Sequence, residues 1–585
     1  MMKGRITIKY FCCLLFSAMT ISACGGGSSS TPVPAPITPV LSPEIEEKTL
    51  VVDSFSVDTT MQISTAVTLD CNNLETDTTA AFNDVSQSVG LCYPGSTSPD
   101  DSTTSRVAGG IAVNDYNNDG RLDVYVTHGR NTLGKLFSLQ ADGQFLDTTQ
   151  QAGITASSAG HGGAFFDINL DGQFDLLSIQ EEPTVLQVYA NNGDGTFTDI
   201  TESTGISFSK PTLSIAAGDH DMDGDLDLFF SHWVPFGKQS RMEFLWQNQG
   251  NATFNDISDI ADIGAVASDE GEQVYEFSFT PIFADFNDDR FPDILLSSDY
   301  STSQILINNG GTGFVDTTPG TVNDNSGMGG AVADYDNDGD LDWFVAAISD
   351  IREGLSSSPY SGSRLYQNDG LGNVTNVTQE AGVIQSYWGW GTCFADFNND
   401  GHQDLFIVNG FDGMTEAQSV GRAFEPYNND RAILNINNGD GTFTERGVEL
   451  GITHTAMARG LACYDYDRDG DLDMLISNSG LAPTLLRNNN FSTGNNFLNI
   501  RLKGKNVNPQ AVGARIYISI DGQEQMRELQ LGNNYVSQNP VEAHFGLGDS
   551  QVIDQVRIVW PGLEGEVSEL NNVEANRFLL IHQPD

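Results

Sequence analysis

One nine-residue acidic phrase occurs seven times in the sequence. Every copy has a carboxylate or carboxamide side chain at positions 1, 3, 5 and 9, and six copies have glycine at position 6. A hard divalent cation takes about six to eight oxygen ligands, which a tight loop can direct at one point. The phrase therefore predicts about seven Ca²⁺ loops. Their candidate ligands are Asp115, Asn117, Asp119 and Asp123; Asp167, Asn169, Asp171 and Asp175; Asp219, Asp221, Asp223 and Asp227; Asp285, Asn287, Asp289 and Asp293; Asp334, Asp336, Asp338 and Asp342; Asp396, Asn398, Asp400 and Asp404; and Asp465, Asp467, Asp469 and Asp473.

The flanking residues indicate strands around these loops. An EF-hand carries a bidentate glutamate at position 12 and helices on both sides, whereas position 12 here is Val126, Phe230 or another non-acidic residue. In the fourth copy Arg290 replaces the glycine. Position 6 usually needs a positive φ, which costs an arginine on the order of 1 kcal/mol. We expect the Asp285–Asp293 site to be the weakest.

The repeat spacing predicts the architecture that positions the loops. First aspartates are 52, 52, 66, 49, 62 and 69 residues apart, slightly more than one four-stranded propeller blade needs. Each unit has a Gly/Ala-rich strand before the loop, a bulky apolar strand after it, an Asn/Gly-rich hairpin and a final short strand. Small side chains suit a crowded axis, so we expect the first strand to be innermost. The fold class is all-β, a seven-bladed propeller; a parallel β-helix is the alternative, but its repeats are far shorter.

The two ends of the repeat region complement each other. The phrase at Phe82–Ser86 matches the fourth-strand phrase Phe197–Thr201, and the last copy stops after its third-strand hairpin, which ends at Asn490. We predict that residues 82 to 86 complete the seventh blade. Such pairing removes exposed strand edges.

The amino terminus predicts export and lipid attachment. A basic start, an apolar stretch from Tyr10 to Thr20 and a small-residue box ending in Cys24 form a secretory leader. It resembles a bacterial lipoprotein signal, which implies removal of residues 1–23, lipidation of Cys24 and attachment to the outer membrane. An ordinary signal followed by a chance cysteine is the alternative. Residues 24–43 read as a Gly/Ser/Pro-rich tether and 44–81 as an N-terminal β extension.

Cysteine spacing predicts one disulfide. Cys71 and Cys92 are near enough in sequence to pair in an oxidising compartment. Cys393 and Cys463 lie in apolar strand patterns and are expected to be buried free thiols. No CxxC pair is present, so a zinc or redox site has no support.

The net charge of the chain argues against two classes of binding partner. With 79 acidic and 27 basic residues the net charge is -52, which repels nucleic acid and anionic lipid headgroups. The sequence has no GxSxG, HExxH or P-loop motif, so no catalytic residue is assigned and an enzyme is the less favoured interpretation.

One column of the repeat predicts a ligand site. The residue six places before each first aspartate varies from blade to blade, and we expect this column to ring the channel mouth. The ligand hypothesis uses His161, Trp390 and Arg459 from the column, with nearby Trp233, Tyr387 and Trp388. The alternative is that these residues pack and plug the channel.

The repeats resemble the FG-GAP/VCBS family, whose calcium-bearing blades also form integrin α-subunit propellers. From about Asn495 the tail resembles the ASPIC/UnbV domain of cartilage-acidic-protein-like chains, through Gly513-Ala-Arg515, Ser537-Gln538, His544-Phe-Gly-Leu-Gly548 and Trp560-Pro-Gly562. This implies a propeller over residues 82–490 and a β-rich domain over 491–585. Extracellular modules of this kind bind calcium weakly, and seven sites at tenfold excess would contribute on the order of 10 kcal/mol, so we expect structural calcium.

These features predict a calcium-stabilised, lipid-anchored binding or adhesion module outside the cytoplasm. It would recognise a protein or glycan through the propeller face opposite the calcium loops, where the long insertions fall. The alternative is an extracellular polysaccharide lyase or hydrolase that uses the propeller channel.

Overall fold

The computed structural model describes most of the chain from residue 80 onwards. The described residues are 80–93, 106–129, 133–155, 160–180, 186–207, 212–233, 243–259, 261, 263, 277–349, 362–411, 427, 429–489, 491, 494–505 and 508–584, with the backbone alone for 5–7 and 49–54. The predicted tether, Cys24, Cys71 and most of the long insertions lie outside them. No helix among the described residues has the length and apolar character needed to cross a membrane.

The described chain is almost entirely β-structure. Three strands precede the repeats: β1 Arg5–Thr7, β2 Thr49–Ser54 and β3 Phe82–Asp84. Two helical turns interrupt the strands, α1 Thr201–Thr204 and α2 Thr378–Ala381. Strand β1 falls within the predicted leader, and β2 falls within the predicted β extension.

Seven four-stranded antiparallel sheets, here called blades 1 to 7, follow in chain order. Blades 1 to 3 consist of β4 Ile111–Asn114, β5 Asp123–Val126, β6 Lys135–Leu139 and β7 Phe145–Asp147; β8 Gly160–Phe166, β9 Asp175–Gln180, β10 Leu186–Asn191 and β11 Phe197–Asp199; and β12 Thr212–Gly218, β13 Asp227–His232, β14 Phe244–Asn248 and β15 Phe254–Asp256.

Blades 4 to 7 repeat the same order. Their strands are β16 Ser278–Ala284, β17 Asp293–Ser298, β18 Gln304–Asn308 and β19 Phe314–Asp316; β20 Gly327–Ala333, β21 Asp342–Ala347, β22 Arg364–Asn368 and β23 Val374–Asn376; β24 Gly389–Ala395, β25 Asp404–Asn409, β26 Ile433–Asn437 and β27 Phe443–Glu445; and β28 Ala458–Tyr464, β29 Asp473–Asn478 and β30 Thr484–Asn488, which pairs with β3.

The Gly/Ala-rich first strands are innermost, as predicted. Each lies against the first strand of the next blade, and β28 of blade 7 lies against β4 of blade 1, so the sheets form a ring. Glycine permits close approach here: a Cβ on Gly110 would come 1.9 Å from Val536 O, and one on Gly329 would come 1.9 Å from Trp390 O.

The first strand of the repeat region closes the ring. Strand β3 pairs antiparallel with β30, with Phe82 opposite Asn488 and Asp84 opposite Leu486. The prediction that this segment completes the seventh blade is confirmed. The bulky second strands are buried on both faces, because each blade is packed between two neighbours.

The remaining strands form the C-terminal domain, which consists of two sheets. Its strands are β31 Asn496–Lys503, β32 Arg515–Ile520, β33 Gln523–Glu528, β34 Ala543–Gly548, β35 Val552–Val559, β36 Val567–Glu574 and β37 Arg577–His582. One sheet has the order β33-β32-β35-β36, and the other has the order β1-β2-β37-β31-β34. Apolar residues of this domain form one continuous core with blades 2 and 3.

The prediction of free thiols at Cys393 and Cys463 is wrong. The two residues form a disulfide, with Cα atoms 6.7 Å apart and a sequence separation of 70. They lie on β24 and β28, which are adjacent inner strands, so the ring brings together two cysteines that are distant along the chain. Cys92 is also disulfide-bonded, to a residue outside the described part of the chain.

Candidate functional site

The seven acidic loops all connect the first and second strands of a blade, and they close in the same way. In each loop the backbone N–H of position 6 donates to Oδ2 of the position 1 aspartate, over 2.7 to 3.3 Å. The side chain of position 1 therefore organises the backbone around it. Arg290 makes this bond as the glycines do, over 3.0 Å to Asp285.

Position 9 ties each loop to its own blade. Its Oδ1 accepts a hydrogen bond from the backbone N–H of the last residue of the third strand in all seven blades, over 2.7 to 2.9 Å. In six loops its Oδ2 also accepts the backbone N–H of position 2, over 2.9 to 3.4 Å. The loop entrance and exit are thereby fixed in relation to each other.

Two positions in each loop have left-handed backbone. The six glycines at position 6 have φ between 85° and 100°, and Arg290 has φ 79°, which confirms the expected strain at that residue. Position 4 also has positive φ, from 55° to 61°, a requirement the sequence interpretation missed. Asparagine tolerates this conformation best, and it occurs here in three of the seven loops. The position 4 residues are Asn118, Leu170, Met222, Asp288, Asn337, Asn399 and Arg468.

Acidic groups that could hold a metal ion are present in these loops. Carboxylate oxygens lie within 4.8 Å of one another in blade 3 (Asp219, Asp221 and Asp223), blade 5 (Asp334, Asp336 and Asp342) and blade 7 (Asp465, Asp467 and Asp473). These three blades have aspartate at position 3, where the other four have asparagine, whose amide oxygen is also a suitable ligand. In blade 3 His220 contacts Asp227 and forms a second such group with Asp221 and Asp227.

Buried oxygens in the loops lack a protein donor, which fits a cation. Asp123 Oδ2, Asp219 Oδ1, Asp336 Oδ1 and Asp467 Oδ1 are buried and accept no hydrogen bond among the described residues. Burial and then the neighbouring carboxylates raise the pKa of Asp219 to about 8. Burial also raises the pKa of Asp334 to about 7. Burial, together with the neighbouring Asp469 carboxylate, raises the pKa of Asp467 to about 7. An uncompensated buried carboxylate is unfavourable, so the residues present suit a bound divalent ion.

An asparagine at the end of the third strand links neighbouring blades. Its Nδ2 donates to the carbonyl of position 2 in the preceding blade, over 2.8 to 3.3 Å, in six of the seven blades. Blade 1 has Leu139 at the equivalent place. The sequence interpretation assigned the Asn-rich phrase to turn formation alone, although its repetition at a fixed strand end was a usable signal. The six residues are Asn191, Asn248, Asn308, Asn368, Asn437 and Asn488.

The C-terminal domain covers much of the loop face. Arg468 at position 4 of blade 7 pairs with Glu542, which also pairs with Arg501. Asp288 at position 4 of blade 4 pairs with Arg515, with 2.7 Å between Oδ1 and Nη1. The domain is therefore held by residues of the acidic loops themselves.

A segment of the C-terminal domain, here called the plug (Leu531–Asn539), enters the propeller channel. Gln538 exchanges backbone hydrogen bonds with Ile111 and Val113, and its side-chain amide bonds the backbone of Phe165 over 2.6 and 2.9 Å. Asn534 bonds inner strands of blades 6 and 7, and Leu531 bonds Ala217 in blade 3. The channel is thus filled by the chain itself.

The three column residues proposed to line a channel mouth are buried, and the plug packs on one of them. His161, Trp390 and Arg459 are at most 1% exposed. Arg459 lies 4.3 Å over the Trp390 ring, and Tyr535 of the plug packs 5.2 Å from Trp390 and donates to Val107 O. As packed here, these three side chains fill the channel and do not meet solvent.

The three neighbouring candidates belong to the same apolar cluster as Trp390, with Trp388 inside it and Trp233 and Tyr387 packed against it. Trp388 is buried and stacks 3.9 Å from Phe411, while Trp233 is half-buried and stacks on Phe279. Tyr387 is half-buried with φ 53°. The insertions around them lie largely outside the described residues.

Comparison with family models identifies both parts of the chain. The FG-GAP-like repeat matches residues 115–178, 167–230, 285–345 and 354–407. The ASPIC and UnbV domain matches residues 504–585. The repeat matches coincide with blades that carry acidic loops, and the domain match covers the plug.

Curated relatives share the resemblance over part of their length. The chain is 24% identical to cartilage acidic protein 1 of Mus musculus over 300 residues, which is 50% of this chain and 43% of the relative. It is 25% identical to the Homo sapiens protein of the same name over 242 residues, 38% of this chain and 33% of the relative. The match spans less than half of each relative.

Solved structures resemble the chain only distantly. An Agrocybe aegerita lectin described as recognising non-reducing terminal N-acetylglucosamine aligns with 15% identity and a TM-score of 0.36, covering 58% of this chain and 79% of the lectin. A Bacillus licheniformis rhamnogalacturonan lyase aligns with 12% identity and a TM-score of 0.35, covering 69% and 75%. Neither likeness carries an argument about function.

Proposed function

Because this chain carries FG-GAP-like repeats and an ASPIC and UnbV domain, we propose that it is a calcium-stabilised binding module that acts outside the cytoplasm. The observation that supports this most directly is the shared closure of seven acidic loops, four of which have a buried carboxylate oxygen that accepts no hydrogen bond within the described part of the chain. Because the arrangement recurs in every blade, we assign calcium a structural role in the whole ring.

In this proposal each loop holds Ca²⁺ through oxygens of positions 1, 3, 5 and 9. The bound ion supplies positive charge where carboxylates would otherwise repel one another. The chain's own contribution is the geometry: position 1 is held by the position 6 N–H, and position 9 is held by the third strand. Loss of calcium would leave buried charges uncompensated, which is costly in a low-dielectric interior.

We assign the partner site to the propeller face opposite the acidic loops. The C-terminal domain covers the loop side through Arg515 and Glu542, so the opposite face is the more accessible one. Trp233 and Tyr387 are half-buried there and can offer aromatic surface. The partner is a protein or a glycan, and the leader predicts that Cys24 lipidation holds the module at the outer membrane.

The calcium part is tested by calorimetry of the mature chain in millimolar calcium and in chelator. We expect Asp336→Asn to weaken calcium binding about tenfold at the blade 5 loop, because ligand charge sets affinity. Asp549→Asn is the matched control, since Asp549 is exposed and lies outside the loops. Equal melting temperatures with calcium and with chelator would refute this part.

The binding part is tested with glycan and protein arrays probed with the mature chain. We expect saturable binding in calcium that disappears in chelator. Binding should weaken in a Trp233→Ala variant, whereas an Asp549→Asn variant should bind as the wild type does. Release of a cleaved product from an arrayed polysaccharide would favour the alternative, a lyase or hydrolase. Binding that is the same in chelator would contradict the proposal.

A further inference from the structure

A cleft of about 330 Å³ lies between the acidic loops of blades 3 and 4 and the C-terminal domain. Its volume falls within the range of about 300–1,000 Å³ that is typical of ligand sites. Much of its surface is apolar, from Phe283, Val512, Leu529 and Trp560. The cleft lies on the opposite side of the ring from the face used in the proposed function, so a ligand bound in it would be additional to the partner of that function.

Arg290 places a cation on this cleft at a structural cost. It is the one residue at position 6 of the seven loops that is not glycine, and its φ is 79°. Strained backbone of this kind collects at functional sites. Its Nη1 donates to Leu563 O over 2.7 Å, and its other side-chain N–H groups have no acceptor among the described residues. The side chain is exposed and lines the cleft.

Arg557 supplies a second cation from the C-terminal domain. Its guanidinium lies 3.7 Å over the Tyr517 ring, a contact that helps to fix its position. Its single hydrogen bond within the described residues is a long one, 3.5 Å from Nη2 to Glu524 Oε1. The side chain is 30% exposed, so its remaining N–H groups are available to a ligand.

The third arginine of the cleft is already used. Arg515 pairs with Asp288 over 2.7 Å and with Glu528 over 2.9 Å, and burial leaves it 9% exposed at the side chain. It therefore compensates protein carboxylates and is not available to a ligand. The Asp288 side chain is 72% exposed at the same rim, where it can accept hydrogen bonds from hydroxyl groups.

We propose that this cleft binds a sugar acid of one or two rings. Arginine pairs with a carboxylate through two parallel hydrogen bonds, so Arg290 and Arg557 take the carboxylate. The hydroxyl groups donate to Asp288, and the C–H face of the ring packs on the apolar wall. A neutral sugar would leave both guanidinium groups unpaired, and an anion without hydroxyl groups would leave Asp288 unused.

The experiment is calorimetric titration of the mature chain with digalacturonate at fixed free calcium, with galactobiose and the dipeptide Asp-Asp as comparison probes. We expect digalacturonate to bind about tenfold or more tightly than either probe, because galactobiose lacks the carboxylates that pair with the arginines and Asp-Asp lacks the hydroxyl groups that donate to Asp288. Arg557→Gln should weaken digalacturonate binding about tenfold. Arg290→Gly should weaken it similarly while restoring the glycine of the other six loops, which keeps folding intact.

Arg577→Gln is the matched control, because Arg577 is exposed and pairs with Glu574 away from the cleft. It should bind digalacturonate as the wild type does. Equal affinity in wild type, Arg557→Gln and Arg290→Gly would overturn the proposal, as would Asp-Asp binding as tightly as digalacturonate. If Trp233→Ala loses binding on the arrays but still binds digalacturonate as the wild type does, the two faces bind different ligands. That result would support this inference.

Discussion

Arg468 donates to both carboxylate oxygens of Glu542, over 2.6 Å from Nη1 and 2.7 Å from Nη2. Arg468 occupies position 4 of the blade 7 loop, and Glu542 belongs to the C-terminal domain. Burial raises the pKa of the Glu542 carboxyl group, but Arg468 and Arg501 together lower this pKa well below its usual value. The pair therefore joins a candidate metal loop to the domain that covers it.

Removing the negative charge from this pair should destabilise the protein. Glu542→Gln leaves Arg468 buried and unpaired, and we expect the free energy of unfolding to fall by about 3 kcal/mol. Chemical denaturation of the whole chain measures the change. Glu574→Gln removes an exposed partner of Arg577 and should change stability by less than about 1 kcal/mol. Similar losses in both variants would contradict the role given to the buried pair.

Calcium should remove the loss of stability that rising pH causes in the metal-free protein. Without metal, the pKa of Asp219 is about 8 and that of Asp334 about 7, both above the ordinary 3.8. The folded state then holds protons that the unfolded state has released, so stability falls as pH rises from about 4 to 8. In chelator we expect the melting temperature to decrease across this window.

In millimolar calcium the same carboxylates are ionised by ligation, so rising pH should no longer lower the melting temperature. Scanning calorimetry at pH 5, 6, 7 and 8 with calcium and with chelator compares the two states. Parallel pH profiles in the two buffers would show that the loop carboxylates do not bind the ion.

The asparagine links between blades should be measurable one at a time. Asn437 Nδ2 donates to Tyr335 O in blade 5 over 2.8 Å and to Gln403 O over 3.0 Å. Asn437→Ala leaves buried carbonyl groups unsatisfied, and we expect a loss of about 1–3 kcal/mol in unfolding free energy. The adjacent Asn438 is exposed and bonds Thr442 within its own hairpin, so Asn438→Ala should have a much smaller effect. If Asn438→Ala lowered the unfolding free energy more than Asn437→Ala does, the repeated asparagine would have a role in the turn alone.

The disulfide between blades 6 and 7 should stabilise the ring. It closes a sequence separation of 70 residues, for which the chain-entropy estimate is about 4 kcal/mol. The double variant Cys393→Ser/Cys463→Ser should lose stability on that scale under oxidising conditions. Thiol titration of unfolded wild type provides the control, because two free thiols at these positions would exclude the bond.

The repeat explains why the ring and its closure were predictable from sequence. Seven copies of one phrase set the strand order, and the match between Phe82–Ser86 and Phe197–Thr201 located the closing strand. The left-handed backbone at position 4 was harder to predict. Asparagine occupies this position in some loops, but Leu170 and Met222, which rarely adopt a positive φ, occupy it in others. The backbone conformation at a repeated position can be predicted from sequence only when the residue type at that position also repeats.

Contacts between distant segments were not predictable in this way. Cys393 and Cys463 looked like ordinary apolar strand residues, and only the neighbouring placement of β24 and β28 brings them together. Residue 538 contacts residues near 111 and 165, and no periodicity relates these positions. His161, Trp390 and Arg459 share one column of the repeat and are buried, and Tyr535, which packs on Trp390, comes from another domain.

The plug has a consequence for the order in which this polypeptide can mature. Blades leave the ribosome one after another, yet the hub of the ring is filled by Leu531–Asn539, which is synthesised after all of them. Contacts of such sequence separation form slowly. A chain whose seventh blade has just been synthesised therefore still lacks the residues that fill its channel.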